Sequence, residues 1–134
     1  TRGVEQEMNL PATFVIEDTC VGARYFWNEV IPEEDRLMAI AKRYIDRPPC
    51  PSKDWPKRTR FPYILNLAKE YRVDGAILMQ QKFCDPHELD MPALTEFLNE
   101  NDIPTYFLEF DVTVPFGQFR TRVEAFLETM VEFI

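Results

Sequence analysis

Three short apolar runs constrain this chain most: Thr13-Phe14-Val15-Ile16, Ala76-Ile77-Leu78-Met79 and Tyr106-Phe107-Leu108. None alternates with polar residues, so each reads as a strand covered on both faces, the pattern of a parallel sheet. Helical periodicity fills the intervals. Leu37, Ile40, Ala41 and Tyr44 repeat at three and four, with Pro32, Glu33 and Glu34 marking the first turn of that helix. A second helix carries Phe61, Ile64, Leu65, Ala68 and Tyr71. A third is expected to start near Asp90 as N-cap, with Pro92 in its first turn and Leu94, Phe97 and Leu98 facing inward. The last carries Phe119, Val123, Phe126, Leu127 and Met130. The order strand, two helices, strand, helix, strand, helix predicts an α/β fold, a parallel sheet packed between helical layers.

The chain has 134 residues, which suits one domain spanning 1–134. Three strands make a small sheet, and the opening TRGVEQEMNLPATF reads as the tail of a helix feeding the first strand. The expectation is therefore a C-terminal domain cut from a longer subunit. Residues 46–60, rich in Pro and charge, read as a long irregular loop. The basic residues there, Lys53, Lys57, Arg58 and Arg60, read as a solvated face.

Charge removes several function classes. A net charge of −8 leaves no cationic surface for nucleic acid or an anionic membrane. No apolar run approaches the ~20 residues that span a bilayer, and no signal-peptide pattern opens the chain. Three cysteines at irregular spacing do not form a secreted disulfide framework, so a reducing, cytoplasmic compartment is expected.

In an open parallel sheet, ligands bind beyond the carboxyl ends of the strands. After the first run comes Asp18-Thr19-Cys20-Val21-Gly22-Ala23-Arg24-Tyr25; after the second, Gln80 to Glu88 with Cys84 and His87; after the third, Glu109-Phe110-Asp111 and then Val114 to Gln118. Cys84 stands in a loop before Asp85-Pro86, where a thiol near helix N-termini acts as thiolate, nucleophile or metal ligand, or else is an inert small hydrophobe. Cys20 has the same alternatives, with packing of a strand end favoured. Cys50, between Pro49 and Pro51, reads as a structural bystander. A metal site made wholly within this chain is not expected: there is no C-x-x-C, and His87 is the one histidine. G-x-S-x-G, G-x-G-x-x-G and Walker A patterns are missing as well. The last helix opens with Phe116-Gly117-Gln118-Phe119-Arg120. Its N-terminus faces the strand tips, so Gln118 and Arg120 are candidates to meet an anionic or carbonyl group. The plainer alternative pairs Arg120 with Glu124 on the exposed face.

The stretch KFCDPHELDMPALTEFLNENDIPTYFLEFDVTVPFGQFRTRVEAFLE, together with EDTCVGARYFW, resembles the C-terminal part of the benzoyl-CoA reductase / 2-hydroxyacyl-CoA dehydratase family. The run DRPPCPSKDWPKRTRF tilts the resemblance towards the reductases. The resemblance implies a flavodoxin-like, three-layer sheet. It also implies a subunit that holds a 4Fe-4S cluster through three cysteines, the last of them Cys84, with the other two outside this chain. Cys20 matches a position not assigned as a ligand. By the same resemblance, Gln118 and Arg120 would face substrate or the cluster's surroundings. The implied partners are a second homologous subunit, an ATP-hydrolysing iron–sulfur activator protein, and an acyl-CoA substrate, with no nucleic acid and no membrane. The leading expectation is thus a fragment of an ATP-dependent benzoyl-CoA reductase, inactive and without an intact cluster when isolated. The alternatives are a 2-hydroxyacyl-CoA dehydratase subunit and, from another class, a non-catalytic flavodoxin-like binding domain.

Overall fold

Parallel strands cannot be joined by a tight turn; they need a crossover of a dozen residues or more. The middle of the sequence supplies one. In the computed structural model, which describes residues 12–20, 22–26, 28–113 and 116–131, β1 (Ala76–Gln81) leads into α4 (Asp85–Glu100) and returns as β2 (Thr105–Phe110). The two strands pair in parallel from Ala76 opposite Thr105 to Gln81 opposite Phe110. Before them come α1 (Ala23–Phe26), α2 (Arg36–Ile45), a 3-10 turn at Pro51–Lys53 and α3 (Arg60–Glu70); α5 (Phe116–Val131) follows β2. The expected helix tail at residues 1–11 lies outside the described residues.

Opposite faces of this sheet meet different helices, as period-two alternation requires. Leu78 points to one face and packs with Phe61, Leu65 and Ala68 of α3 and Met91, Leu94 and Leu98 of α4. Ile77, Tyr106, Leu108 and Phe110 line the other and meet Phe119, Val123 and Leu127 of α5. Leu94 and Leu98 are fully buried, at 0% exposure. Gly75, just before β1, is placed where a Cβ would lie 2.5 Å from Met130 Sδ and 3.2 Å from Phe126 Cζ, so a larger residue there would force the Met130 side chain of α5 to shift.

Three sequence expectations are corrected. Residues 13–16 are not a strand: they join no ladder, and the sheet among the described residues is two-stranded. Their composition suits a strand, but a strand exists only with a neighbour to pair its backbone. α4 starts at Asp85 with Cys84 as N-cap, not near Asp90, and Pro92 lies inside the helix. Pro86 sits in the first turn, where its missing N–H forfeits no helical bond, and fixes the earlier start. α2 forms over the predicted spacing but starts at Arg36, so Pro32, Glu33 and Glu34 precede it and are not its first turn; its N-cap is Asp35, whose carboxylate accepts from Leu37 N at 2.9 Å and Met38 N at 3.1 Å. Yet only Ala39 is buried there, and Leu37, Ile40, Tyr44 and Ile45 remain exposed. No helix among the described residues is long and apolar enough to cross a membrane.

Candidate functional site

The carboxyl end of β1 carries the turn Lys82-Phe83-Cys84. Phe83 has φ of 66°, an unfavourable conformation for a bulky residue, and its side chain is exposed. Its N–H donates to Glu88 Oε1 at 3.1 Å, tying the turn to the helix that follows. Cys84 then caps α4 through its backbone: its carbonyl accepts from His87 N and Glu88 N, both at 2.9 Å. Its thiol takes no part in the cap, forms no disulfide and is partly exposed. It thus stands as a free sulfur at the positive end of a helix of 16 residues.

Behind this turn lies a cage of charge that the sequence does not announce. Asp18 receives Arg24 through three bonds, Nη2 to Oδ2 at 2.7 Å, Nη2 to the backbone carbonyl at 3.0 Å and Nε to Oδ1 at 3.3 Å. Arg60 reaches the same Asp18 at 3.3 Å and Asp90 at 2.7 Å. Arg58 joins Asp90 at 2.6 Å. Arg24 and Arg60 are 3% and 4% exposed, so the guanidinium charges are almost wholly removed from water, which demands pairing of this quality. Arg60 Nε is the exception, a buried donor with no partner. Asp54 holds the entry to α3 by accepting from Thr59 N at 2.9 Å and Arg60 N at 2.6 Å. The basic run expected to be a solvated face therefore ends in two ion-paired arginines.

Two cysteines border the cage. Arg24 Nη1 donates to Cys20 Sγ at 3.2 Å, and the same sulfur meets His87 Nε2 at 3.6 Å. Burial, and then the Arg60 and Arg24 guanidinia, hold the His87 imidazole below its usual range, so it is neutral at pH 7. One proton, on sulfur or on nitrogen, mediates the Cys20–His87 contact. Cys50 lies further out. Burial raises its thiol, but the Ser52 hydroxyl at 3.2 Å, the Ser52 N–H and the charges of Arg24 and Arg47 outweigh burial and bring it below its usual value.

The structure thus brings Cys20 to both His87 and the cage, with Cys84 one turn before His87 at the start of α4 and Cys50 within reach of the Arg24 charge. It keeps Gln118 and Arg120 on exposed positions of the first turn of α5, with Arg120 Nε bonded to Glu124 at 2.8 Å. Val114 and Pro115, which lead into that helix, lie outside the described residues. Sequence reasoning misses Asp18, Arg24, Arg60 and Asp90 as a set. Asp90 reads there as a cap, and no local pattern joins residues so far apart. No group of three or more His, Cys, Asp or Glu among the described residues is arranged to hold a metal ion.

Comparison with known proteins agrees with the resemblance at family level. The family described as 2-hydroxyglutaryl-CoA dehydratase, D-component, matches residues 4–130. The chain is 34% identical over 106 residues to the (R)-phenyllactyl-CoA dehydratase beta subunit of Clostridium sporogenes, covering 78% of this chain and 28% of that protein. It is 37% identical over 78 residues to the (R)-2-hydroxyglutaryl-CoA dehydratase beta subunit of Acidaminococcus fermentans, covering 58% of this chain and 21% of that protein. The lactoyl-CoA dehydratase beta subunit of Anaerotignum propionicum is 27% identical over 95 residues, covering 70% and 25%. The chain thus spans between 21% and 28% of the length of these relatives. They are dehydratase subunits, so the comparisons favour the dehydratase alternative over the reductase reading.

Proposed function

The chain belongs to the 2-hydroxyglutaryl-CoA dehydratase D-component family, and from that premise we propose that it is part of the beta-type subunit of a 2-hydroxyacyl-CoA dehydratase. In this reading Cys84 supplies one thiolate to a 4Fe-4S cluster. The observation that carries the assignment is the free, partly exposed sulfur of Cys84 at the carboxyl end of β1 and the N-terminus of α4. That position suits a single ligand: the helix end favours an anionic sulfur, and no hydrogen bond within the cap competes for it. The remaining ligands come from outside the described residues. When bound, the cluster supplies a low-potential electron to the acyl-CoA thioester.

The chain's own residues do the rest by holding. The Glu88 carboxylate fixes the turn before Cys84. The ion-paired cage of Asp18, Arg24, Arg60 and Asp90 borders the first turns of α4, with Arg24, Arg60 and Asp90 buried. Gln118 and Arg120, at the start of α5, would meet substrate or the cluster's surroundings, Arg120 by leaving its pairing with Glu124. The parallel pair β1–β2 belongs to a larger, flavodoxin-like sheet, since parallel sheets are rarely stable with so few strands. A second homologous subunit and an ATP-hydrolysing iron–sulfur activator complete the enzyme.

The full subunit, with partner and activator, should be offered a 2-hydroxyacyl-CoA and benzoyl-CoA under anaerobic conditions. Dehydration of the hydroxyacyl ester is expected. Turnover of benzoyl-CoA alone would instead establish the reductase, which the DRPPCPSKDWPKRTRF run favours; a subunit free of iron would leave the non-catalytic binding domain.

A further inference from the structure

The proposed function leaves Cys20 without a role. We infer that Cys20 is a positioning residue and not a cluster ligand: its contact with His87 fixes the first turn of α4, and with it the sulfur of Cys84. The inference rests on the reading of Cys84 as a ligand.

Cys84, His87, Asp90 or Met91, Leu94 and Leu98 follow one another at three and four residues, so they share one stripe of α4. Along that stripe the anchoring changes character. Leu94 and Leu98 are gripped by the apolar core. Asp90 is gripped by Arg58 and Arg60. His87, one turn from Cys84, is met instead by Cys20 Sγ at 3.6 Å. The other tether of this turn is local, the Glu88 carboxylate on Phe83 N. A helix end frays unless something outside it holds it.

The surroundings of the Cys20 sulfur point the same way. Cys20 Sγ accepts from Arg24 Nη1 at 3.2 Å. Arg24 is 3% exposed and locked by three bonds to Asp18, so its charge cannot withdraw. A sulfur bonded to iron can still accept from a guanidinium, but here the other side of Cys20 Sγ is taken by the imidazole, which iron would have to displace. The same geometry suits a sulfur that carries the order of the cage across to α4. Residues standing behind metal ligands in this way tune both the affinity and the electronic signature of the site.

The test uses the full subunit, reconstituted anaerobically with its partner, in four forms: unaltered, Cys84→Ser, Cys20→Ser and Cys20→Ala. Iron content, the rate of iron loss to a chelator, and the electron paramagnetic resonance signal after dithionite reduction are read for each. Cys20→Ser keeps a hydrogen-bonding group and is expected to retain full iron and the unaltered signal. Cys20→Ala is expected to retain iron as isolated, to lose it to the chelator about tenfold faster, and to show a changed signal. Loss of iron in Cys20→Ser to the extent seen in Cys84→Ser would overturn the inference, because Cys20 would then be a ligand. A Cys20→Ala protein matching the unaltered one in rate and signal would also overturn it. If Cys20→Ala does not fold, His87→Leu breaks the same contact from the helix side and is read by the same criteria. Full iron in Cys84→Ser would reject the Cys84 assignment itself, an outcome separate from the two that reject the role of Cys20.

Discussion

Residues 60–131 and residues 12–59 are held in place by different forces. The first region is built from apolar surface. α3, α4, β1, β2 and α5 bury Leu78, Leu94, Leu98, Leu108 and Val123, and pair two strands in register. The second region has few buried apolar side chains. Leu37, Tyr44, Ile45, Ile31 and Phe26 are exposed, and residues 13–16 form no strand of the two-stranded sheet. The cage joins it to the first region, where Asp18 and Arg24 meet Arg60 and Asp90. The edge of the proposed site is therefore set by a few buried charges, and its base by packing. The two should respond differently to substitution.

The largest expected effect is at the junction. Asp90→Ala removes the carboxylate shared by Arg58 and Arg60 and leaves the buried Arg60 guanidinium with only the longer contact to Asp18, at 3.3 Å, among the ion pairs of the cage. Loss of one partner of a buried pair costs about 3–5 kcal/mol. Urea denaturation followed by fluorescence should show that loss, and a change below about 1 kcal/mol would break the contrast, because the cage would then be ornamental to stability. Leu98→Ala tests the other side. Leu98 is fully buried, and truncating such a residue costs about 2–5 kcal/mol, the amount depending on how far the cavity collapses. The two variants should also differ in kind. Hydrogen exchange should rise throughout α3, α4 and β1 in Leu98→Ala. In Asp90→Ala it should rise most at the start of α3 and in the first turns of α4.

A smaller effect is expected at the outer edge. Cys50 should ionise below its ordinary 9.0, because the Ser52 hydroxyl and N–H and the arginines outweigh burial. A thiol whose folded value is depressed adds stability as pH rises through that value, completely so above 9.0, and loses it as pH falls. Alkylation of Cys50 by iodoacetamide, followed by mass spectrometry across pH, should show a midpoint below 9.0 that moves up in Ser52→Ala. A midpoint unmoved by that change would show that the hydrogen bond is not the cause.

Much of the first region is legible in the sequence and little of the second. Continuous apolar runs at residues 76–79 and 106–108 specify β1 and β2, because both faces of each strand are offered to helices. The three-and-four spacing of Phe61, Leu65 and Ala68 specifies α3 in the same way. Residues 13–16 have the same composition, but pairing is a property of the neighbour and is not written in the run. The start of α4 is ambiguous in the sequence because Pro86 and Pro92 carry the same local signal. In the structure Pro92 sits on an exposed position inside the helix. The position of Cys84 after β1 is legible because the apolar run of residues 76–79 specifies the strand that precedes it. The cage is not, since Asp18, Arg24, Arg60 and Asp90 look like ordinary surface charges until the fold brings them together. Only burial distinguishes Arg60 from Lys57, and burial has no local signature here.

The most direct test of the central claim is the iron and acid-labile sulfide content of the full-length subunit purified without oxygen, with Cys84 intact and as Cys84→Ser. Iron and sulfide are expected in the intact protein and a marked loss of both in the variant, with the fold retained by circular dichroism. Equal iron and sulfide in the two proteins would contradict the assignment of Cys84 as a cluster ligand.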